Sequence, residues 1–244
     1  MSLDFLSLLS DDVDRFIAAI ASGPADAPIT GCPGWTLVDL GVHLGVVHRW
    51  ARGAIVTGAV PQQDPSDPAP TDQAAVAEWV RAGADRLLTT LGDLDPAAPT
   101  WHPFPVEPKV AGLWRRRQAQ EASVHRWDAE RAIGLSPTID APFADDGVDE
   151  YWTVMLPRLV SRESLTVPSS VLGVELSDTG RSWIIDGRSG RVQLVAEGVE
   201  PAAQLRGSAV DVLLRLWGRP VPEGSISLSG DQDVVAEWLA LGGA

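Results

Sequence analysis

Hydrophobic periodicity changes character a little past the middle of this chain, and that change constrains the fold more than any single residue does. Through roughly the first 135 residues, apolar side chains recur at helical spacing; beyond Pro142 they come in short, β-branched runs. Leu3 to Ile20 carries Leu6, Leu9, Val13, Phe16, Ile17 and Ile20 on one stripe and stops at Ser22-Gly23-Pro24. Thr36, with Asp39 three positions on, is a helix-capping pair, so a second helix is expected from there to about Val56. Val60 to Pro70 is too rich in Pro, Asp and Gln to be helical and is expected to be a mobile flap. Helical spacing resumes from Thr71 to Leu91 and again, strongly charged, from Lys109 to Ile133, which Gly134 and Pro137 end. Four such helices in sequence imply an antiparallel bundle.

The second half asks for a different architecture. Phe143 to Arg162 is expected to be one more helix, with Pro157 disturbing its last turn. Strands are expected at Val171 to Ser177, Ser182 to Ile185 and Arg191 to Ala196, the last two joined in hairpin fashion by DGRSG. A helix at Ser208 to Trp217, a short strand at Ser225 to Leu228 and a helix at Asp231 to Leu241 complete the pattern. The chain is therefore expected to be an α+β protein of two domains. The boundary falls near Leu135 to Ala141, giving a bundle over 1–138 and a small α+β domain over 139–244.

Composition excludes several function classes. The 244 residues include 19 basic and 33 acidic side chains, a net charge of -14 that repels a phosphate backbone, so nucleic acid is not an expected partner. No apolar run is long enough to span a bilayer, and the N-terminus lacks a basic segment with a cleavage site, so a cytoplasmic location is expected. A single cysteine, Cys32, rules out a disulfide framework and any cysteine-based zinc ribbon; a metal would need histidine and carboxylate ligands. Lys109 is the only lysine, a bias toward arginine that points to a high-GC genome. The ten tryptophans, against one tyrosine, are expected mainly in the core, with one or two free to line a ligand pocket.

Candidate chemistry gathers on the second and fourth helices. In QEASVHRWDAE, Glu121 and His125 stand four apart and project from one face, in phase with Val110, Trp114, Asp128 and Ala132. That face is largely of core type, and a carboxylate buried there needs a partner or a cation. On the second helix, His43 shares the stripe of Leu40, Val47, Trp50 and Ala54, whereas His48 lies about 140° around the helix and is expected to face outward. His43, Glu121 and His125 would make a three-ligand site with an open position, as catalytic zinc requires. The same spacing also suits a hydrogen-bonded core histidine and an exposed Glu/His pair.

CPGWTLVDLGVHLGVVHRW, followed some 75 residues later by ExxxHRWDAE, resembles the N-terminal domain of mycothiol-dependent maleylpyruvate isomerases, a branch of the DinB/YfiT-like metal-binding bundles. DDGVDEYWTVMLPRL, LRGSAVDVLLRLWGR and GDQDVVAEWLALGG resemble that family's linker and its sterol-carrier-like α+β domain. The match is weakest between Val60 and Pro108. The resemblance implies a metal triad at His43, Glu121 and His125, with zinc or another divalent ion bound between helices of a DinB-like bundle. It also implies mycothiol as the thiol cosubstrate of a small electrophile, the thiol adding to the cis double bond of maleylpyruvate and leaving as fumarylpyruvate forms. In the family, which has many actinobacterial paralogues, a C-terminal arginine meets the anionic substrate. Arg219 in LWGRP and Arg206 in QLRGS are the candidates, and either would serve equally as a surface ion-pair residue.

Other readings stay open at this level. The C-terminal domain would suit a non-catalytic protein that binds small apolar ligands, and a metal-bound water would suit a hydrolase. Asp128 is placed either to orient a ligand imidazole or to bridge helices. Cys32, beside Gly31 and Pro33, reads as a packed small residue, and His48 and His102 read as solvated or capping side chains. GxGxxG, GxSxG and HExxH motifs are absent, which removes nucleotide-binding, serine-hydrolase and zincin readings.

Overall fold

In the computed structural model, which describes residues 3–195 and 198–242, four long helices occupy the first half: α1 (Phe5–Ser22), α2 (Leu37–Thr57), α3 (Gln73–Gly92) and α4 (Ala111–Ala132). Their starts follow from local chemistry. Asp4 and Asp72 accept backbone N–H groups at the heads of α1 and α3, and Thr36 and Asp39 form a reciprocal capping box on α2. Gly58 ends α2 in the left-handed conformation at φ 67, which costs a glycine nothing. Helix α1 packs against α3 and α4, and α2 against α3 and α4, so the four close into a bundle. Phe16, Ile20, Leu40, Leu44, Val76 and Val80 fill part of the space between them. Gly45 lets α3 approach α2, because a Cβ there would stand 2.2 Å from the Trp79 ring.

The chain divides into two units. Met1–Pro103 and Glu107–Thr138 form the first; Phe104–Val106 and Ile139–Ala244 form the second. Phe104 joins the second unit through the guanidinium of Arg158, which sits 5.3 Å from its ring centroid. In that unit α5 (Ala141–Glu150), a π-helical turn (Tyr151–Met155) and α6 (Leu156–Glu163) run on as one helix. Pro157 explains the widened turn. Its ring would strike the carbonyl four residues back in a regular α-helix, and the π turn opens that space while Leu156 N–H bonds to Tyr151 O.

Five strands follow, β1 (Val171–Leu176), β2 (Ser182–Asp186), β3 (Gln193–Val195), β4 (Ala203–Gly207) and β5 (Ile226–Gly230), in the spatial order β3-β2-β1-β4-β5. Among the described residues, β1 and β4 pair in parallel and the other three pairs are antiparallel. Helices α7 (Ala209–Leu216) and α8 (Gln232–Leu239) contribute the buried Leu213 and Trp238. The two-domain α+β class expected from periodicity is what the chain adopts. Ala196, at the end of the third expected strand, lies outside the described residues. Strand β4 was not expected. It alternates buried and exposed residues cleanly, but it is five residues long, ends in Gly207 and carries Ala203 and Leu205 as its only apolar side chains.

The Val60 to Pro70 segment is irregular but not the free flap expected of it. Asp67 ties it to the bundle, accepting from Arg49 Nε (2.8 Å), Arg86 Nη2 (2.8 Å) and Trp79 Nε1 (2.6 Å). One carboxylate thus anchors the loop to both α2 and α3.

Candidate metal centre

Helix α4 is buried along most of its length, and its polar residues are therefore obliged to find partners. Two groups of them do so in different ways. On the side toward α1, Arg126 pairs with Asp12 (2.7 Å) and Glu130 (2.8 Å), and Arg15 clamps Glu130 with two bonds of 2.9 and 3.0 Å. Two cations thus neutralise two carboxylates, as buried charges require.

On the side toward α2, donors converge instead. His43 Nε2 lies 3.2 Å from Glu121 Oε1, and His125 Nε2 lies 3.3 Å from the same oxygen. All three atoms fall within 4.8 Å of one another. The i, i+4 spacing on α4 brings Glu121 and His125 together, and α2 supplies His43 across the bundle. Side-chain exposures of 32% for His43 and 19% for Glu121 leave the cluster partly open to solvent. The exposed-pair reading of Glu121 and His125 is ruled out by the 10% exposure of the His125 side chain.

Each member of the cluster is held from behind. Arg117, a buried residue one turn before Glu121, donates Nη2 to Glu121 Oε2 at 2.9 Å and leaves Oε1 facing the histidines. His125 Nδ1 lies 3.2 Å from Asp128 Oδ2, so Asp128 accepts from that nitrogen and orients the ring with Nε2 toward Glu121. The Trp35 ring packs against His43 with centroids 4.8 Å apart. Cys32 lies behind the cluster, its sulfur within 4.8 Å of a ligand atom of His125 and of Asp128.

The electrostatics agree with a held carboxylate. Burial pushes the Glu121 carboxyl upward, but hydrogen bonds from His125 and His43 and the charges of His125 and Arg117 outweigh it, holding its pKa well below the ordinary value. Burial disfavours the charged form of His125, yet hydrogen bonds to Asp128 and Glu121 raise its pKa on balance. Two imidazole nitrogens and one carboxylate oxygen fit a divalent ion. Ligands bound at 2.0–2.2 Å on a tetrahedral centre stand about 3.3–3.5 Å apart, close to the two short spacings here.

His48 and His102 correct the expectation of solvated or capping side chains. His48 is fully buried and His102 is 1% exposed. Among the described residues His48 finds no hydrogen-bond partner for either ring nitrogen, and burial drives its pKa down to about 3. The α2 core face is wide enough to include it, since α3 and α4 cover that helix from two directions. Of the two C-terminal arginines, both in the second unit, Arg206 makes a surface pair with Glu175, its neighbour across the β1–β4 pair, at 3.0 Å. Arg219 is 5% exposed and donates Nη1 to Trp217 O at 2.7 Å. Sequence reasoning did not single out Arg117, although its i, i+4 relation to Glu121 was legible. The proximity of Cys32 to His125 carries no local signal, because 93 positions separate them in the sequence.

Among the described residues, no helix is long and apolar enough to cross a membrane. The model of the mycothiol maleylpyruvate isomerase N-terminal domain matches residues 6–130, and that of the MDMPI C-terminal domain matches residues 142–237. No curated protein matches the chain. Two crystal structures share its fold, one of the mycothiol-dependent maleylpyruvate isomerase and one of a histidine-to-alanine mutant of that enzyme. They superpose with TM-scores of 0.60 and 0.62, at 12% identity, over 93% of this chain and 92% of theirs. Since the two family models together span nearly all of it, the chain belongs to the mycothiol maleylpyruvate isomerase family.

Proposed function

We propose that His43, Glu121 and His125 hold a divalent cation, zinc in the first instance, and that the protein uses it with mycothiol to isomerise a small unsaturated acid such as maleylpyruvate. The observation that carries this reading is the approach of two imidazole Nε2 atoms to one carboxylate oxygen at 3.2 and 3.3 Å, with Asp128 behind one of those rings. When bound, such an ion acidifies a coordinated thiol or polarises a carbonyl oxygen, so that a thiolate is available near neutral pH to add to a cis double bond and leave after rotation.

The chain's own residues have separable tasks. Asp128 fixes the His125 tautomer, Arg117 keeps one oxygen of Glu121 turned toward the histidines, and Trp35 limits the orientations of His43. Arg206 is committed to Glu175 at the surface, which removes it from the two arginine candidates for the substrate carboxylate. The family assignment favours an enzyme over a non-catalytic carrier of apolar ligands.

Elemental analysis of wild type and His125→Ala tests the reading. About one divalent ion per chain, lost in the variant together with turnover that depends on added mycothiol, is the expected result. Turnover of maleylpyruvate that proceeds without any thiol would replace it with a hydrolytic reading, and wild-type protein that takes up no metal when zinc is offered would end it.

A further inference from the structure

A cavity of about 740 Å³ lies within the first unit, between α2, α3 and the loop joining them, and none of the triad residues lines it. Three arginines, Arg49, Arg52 and Arg86, face it along with two aspartates, Asp64 and Asp67. Four of these five are already engaged with the chain itself. Asp67 takes up Arg49 and Arg86 together with the Trp79 indole N–H. Asp64 accepts the backbone N–H and hydroxyl of Ser66 through one oxygen.

Arg52 is the exception. Its Nε is buried and donates to nothing among the described residues. A buried donor without an acceptor is destabilising, and a guanidinium fork is shaped for the two oxygens of a carboxylate. Val46, Trp50 and Trp79 add apolar surface to the same walls. The local balance is one excess positive charge in a chain whose net charge is -14, so an anion meets local attraction here despite the acidic whole. Gly53 and Gly83 keep the walls close, because a Cβ on either would meet Pro61 or Arg49 at under 3.0 Å.

We propose that this cavity is a second binding site, separate from the triad, for a small organic carboxylate with a flat apolar body, its carboxylate on Arg52 and its body against Trp50 and Trp79. Sodium benzoate is the probe. Calorimetric titration of the whole chain should show one benzoate per chain, binding about tenfold more weakly to Arg52→Gln and to an intermediate degree to Arg52→Lys, with benzyl alcohol not binding. The metal content of each sample should be unchanged by the Arg52 substitutions. Benzoate binding should persist in His125→Ala, which separates this site from the triad and makes its fate independent of the isomerase reading. The proposal is overturned if wild type does not bind benzoate, if Arg52→Gln binds it as wild type does, if binding disappears in His125→Ala, or if inorganic phosphate binds as tightly.

Discussion

Helix α4 carries two buried polar groups of similar composition that do opposite things. Toward α1, Arg126 and Arg15 alternate with Asp12 and Glu130, so each charge faces its opposite and the set is complete as it stands. Toward α2, His43 and His125 both turn Nε2 to a single oxygen of Glu121, while Arg117 and Asp128 occupy the outer sides of that oxygen's carboxylate and of one ring. The first arrangement neutralises itself and joins two helices. The second gathers three potential ligand atoms around one point, where the proposed cation would sit. Burial does not distinguish the two; the balance of charge and the direction of the donors do.

Breaking the self-neutral group should produce the largest change in stability. Arg126→Met leaves Asp12 buried without its cation, and loss of one partner from a buried pair costs about 3–5 kcal/mol. Burial already raises the Asp12 pKa despite Arg126, so the orphaned carboxyl is expected to take up a proton. Denaturant unfolding should register the loss while the metal content of the folded fraction is retained. Adding Asp12→Leu should return much of the stability, since the pair is then replaced by apolar packing. Equal metal loss in Arg126→Met would show that the two groups act as one.

The contrast also explains what was legible in the sequence. Glu121 and His125 were readable because four residues on a helix make one face, and His43 because it shares a stripe with Leu40 and Trp50. His48 was misread for the same reason. A single stripe describes a helix covered from one side, whereas α2 is covered by both α3 and α4, and the arc buried on it extends to His48. Asp67 shows a second limit. Proline and aspartate rightly argued against helix in its segment, but the bonds that immobilise it come from Arg49, Trp79 and Arg86, residues on two other elements. Strand β4 shows a third. Its neighbours β1 and β5 supply the partners that its own five residues do not announce.

Asp128→Asn sharpens the comparison from the other side. An amide in place of the carboxylate can still meet His125 Nδ1 but no longer supports it with a charge. Outer partners of ligand histidines typically contribute 10–100-fold to metal affinity. Metal titration should therefore weaken by about that factor, while the unfolding midpoint of metal-free protein moves less than in Arg126→Met. A large loss of metal-free stability with unchanged metal affinity would make Asp128 a bridging residue instead.

The smallest effect should come from the loop anchor, which is polar like both groups on α4 but partly exposed, with 30% of the Asp67 side chain open to solvent. A hydrogen bond from Arg49 is the main cause that holds the Asp67 pKa below its ordinary value, with Trp79 assisting against the opposing effect of burial. A lowered folded-state pKa gives stability that is fully present above the ordinary carboxylate range and fades as pH falls through the lower, folded value. The anchor should hold at neutral and mildly acidic pH and release only below that range. Screening by water keeps its contribution under about 1 kcal/mol. Limited proteolysis of residues 58–72 by an acid-active protease reads this directly. Cleavage should rise only toward the acid extreme in wild type, and in Asp67→Ala it should already be fast at mild acidity and show no further rise. A wild-type loop cut equally fast at every pH tested would mean that Asp67 does not restrain it, and the distinction between a closed ion network and a solvent-screened one would lose its third case.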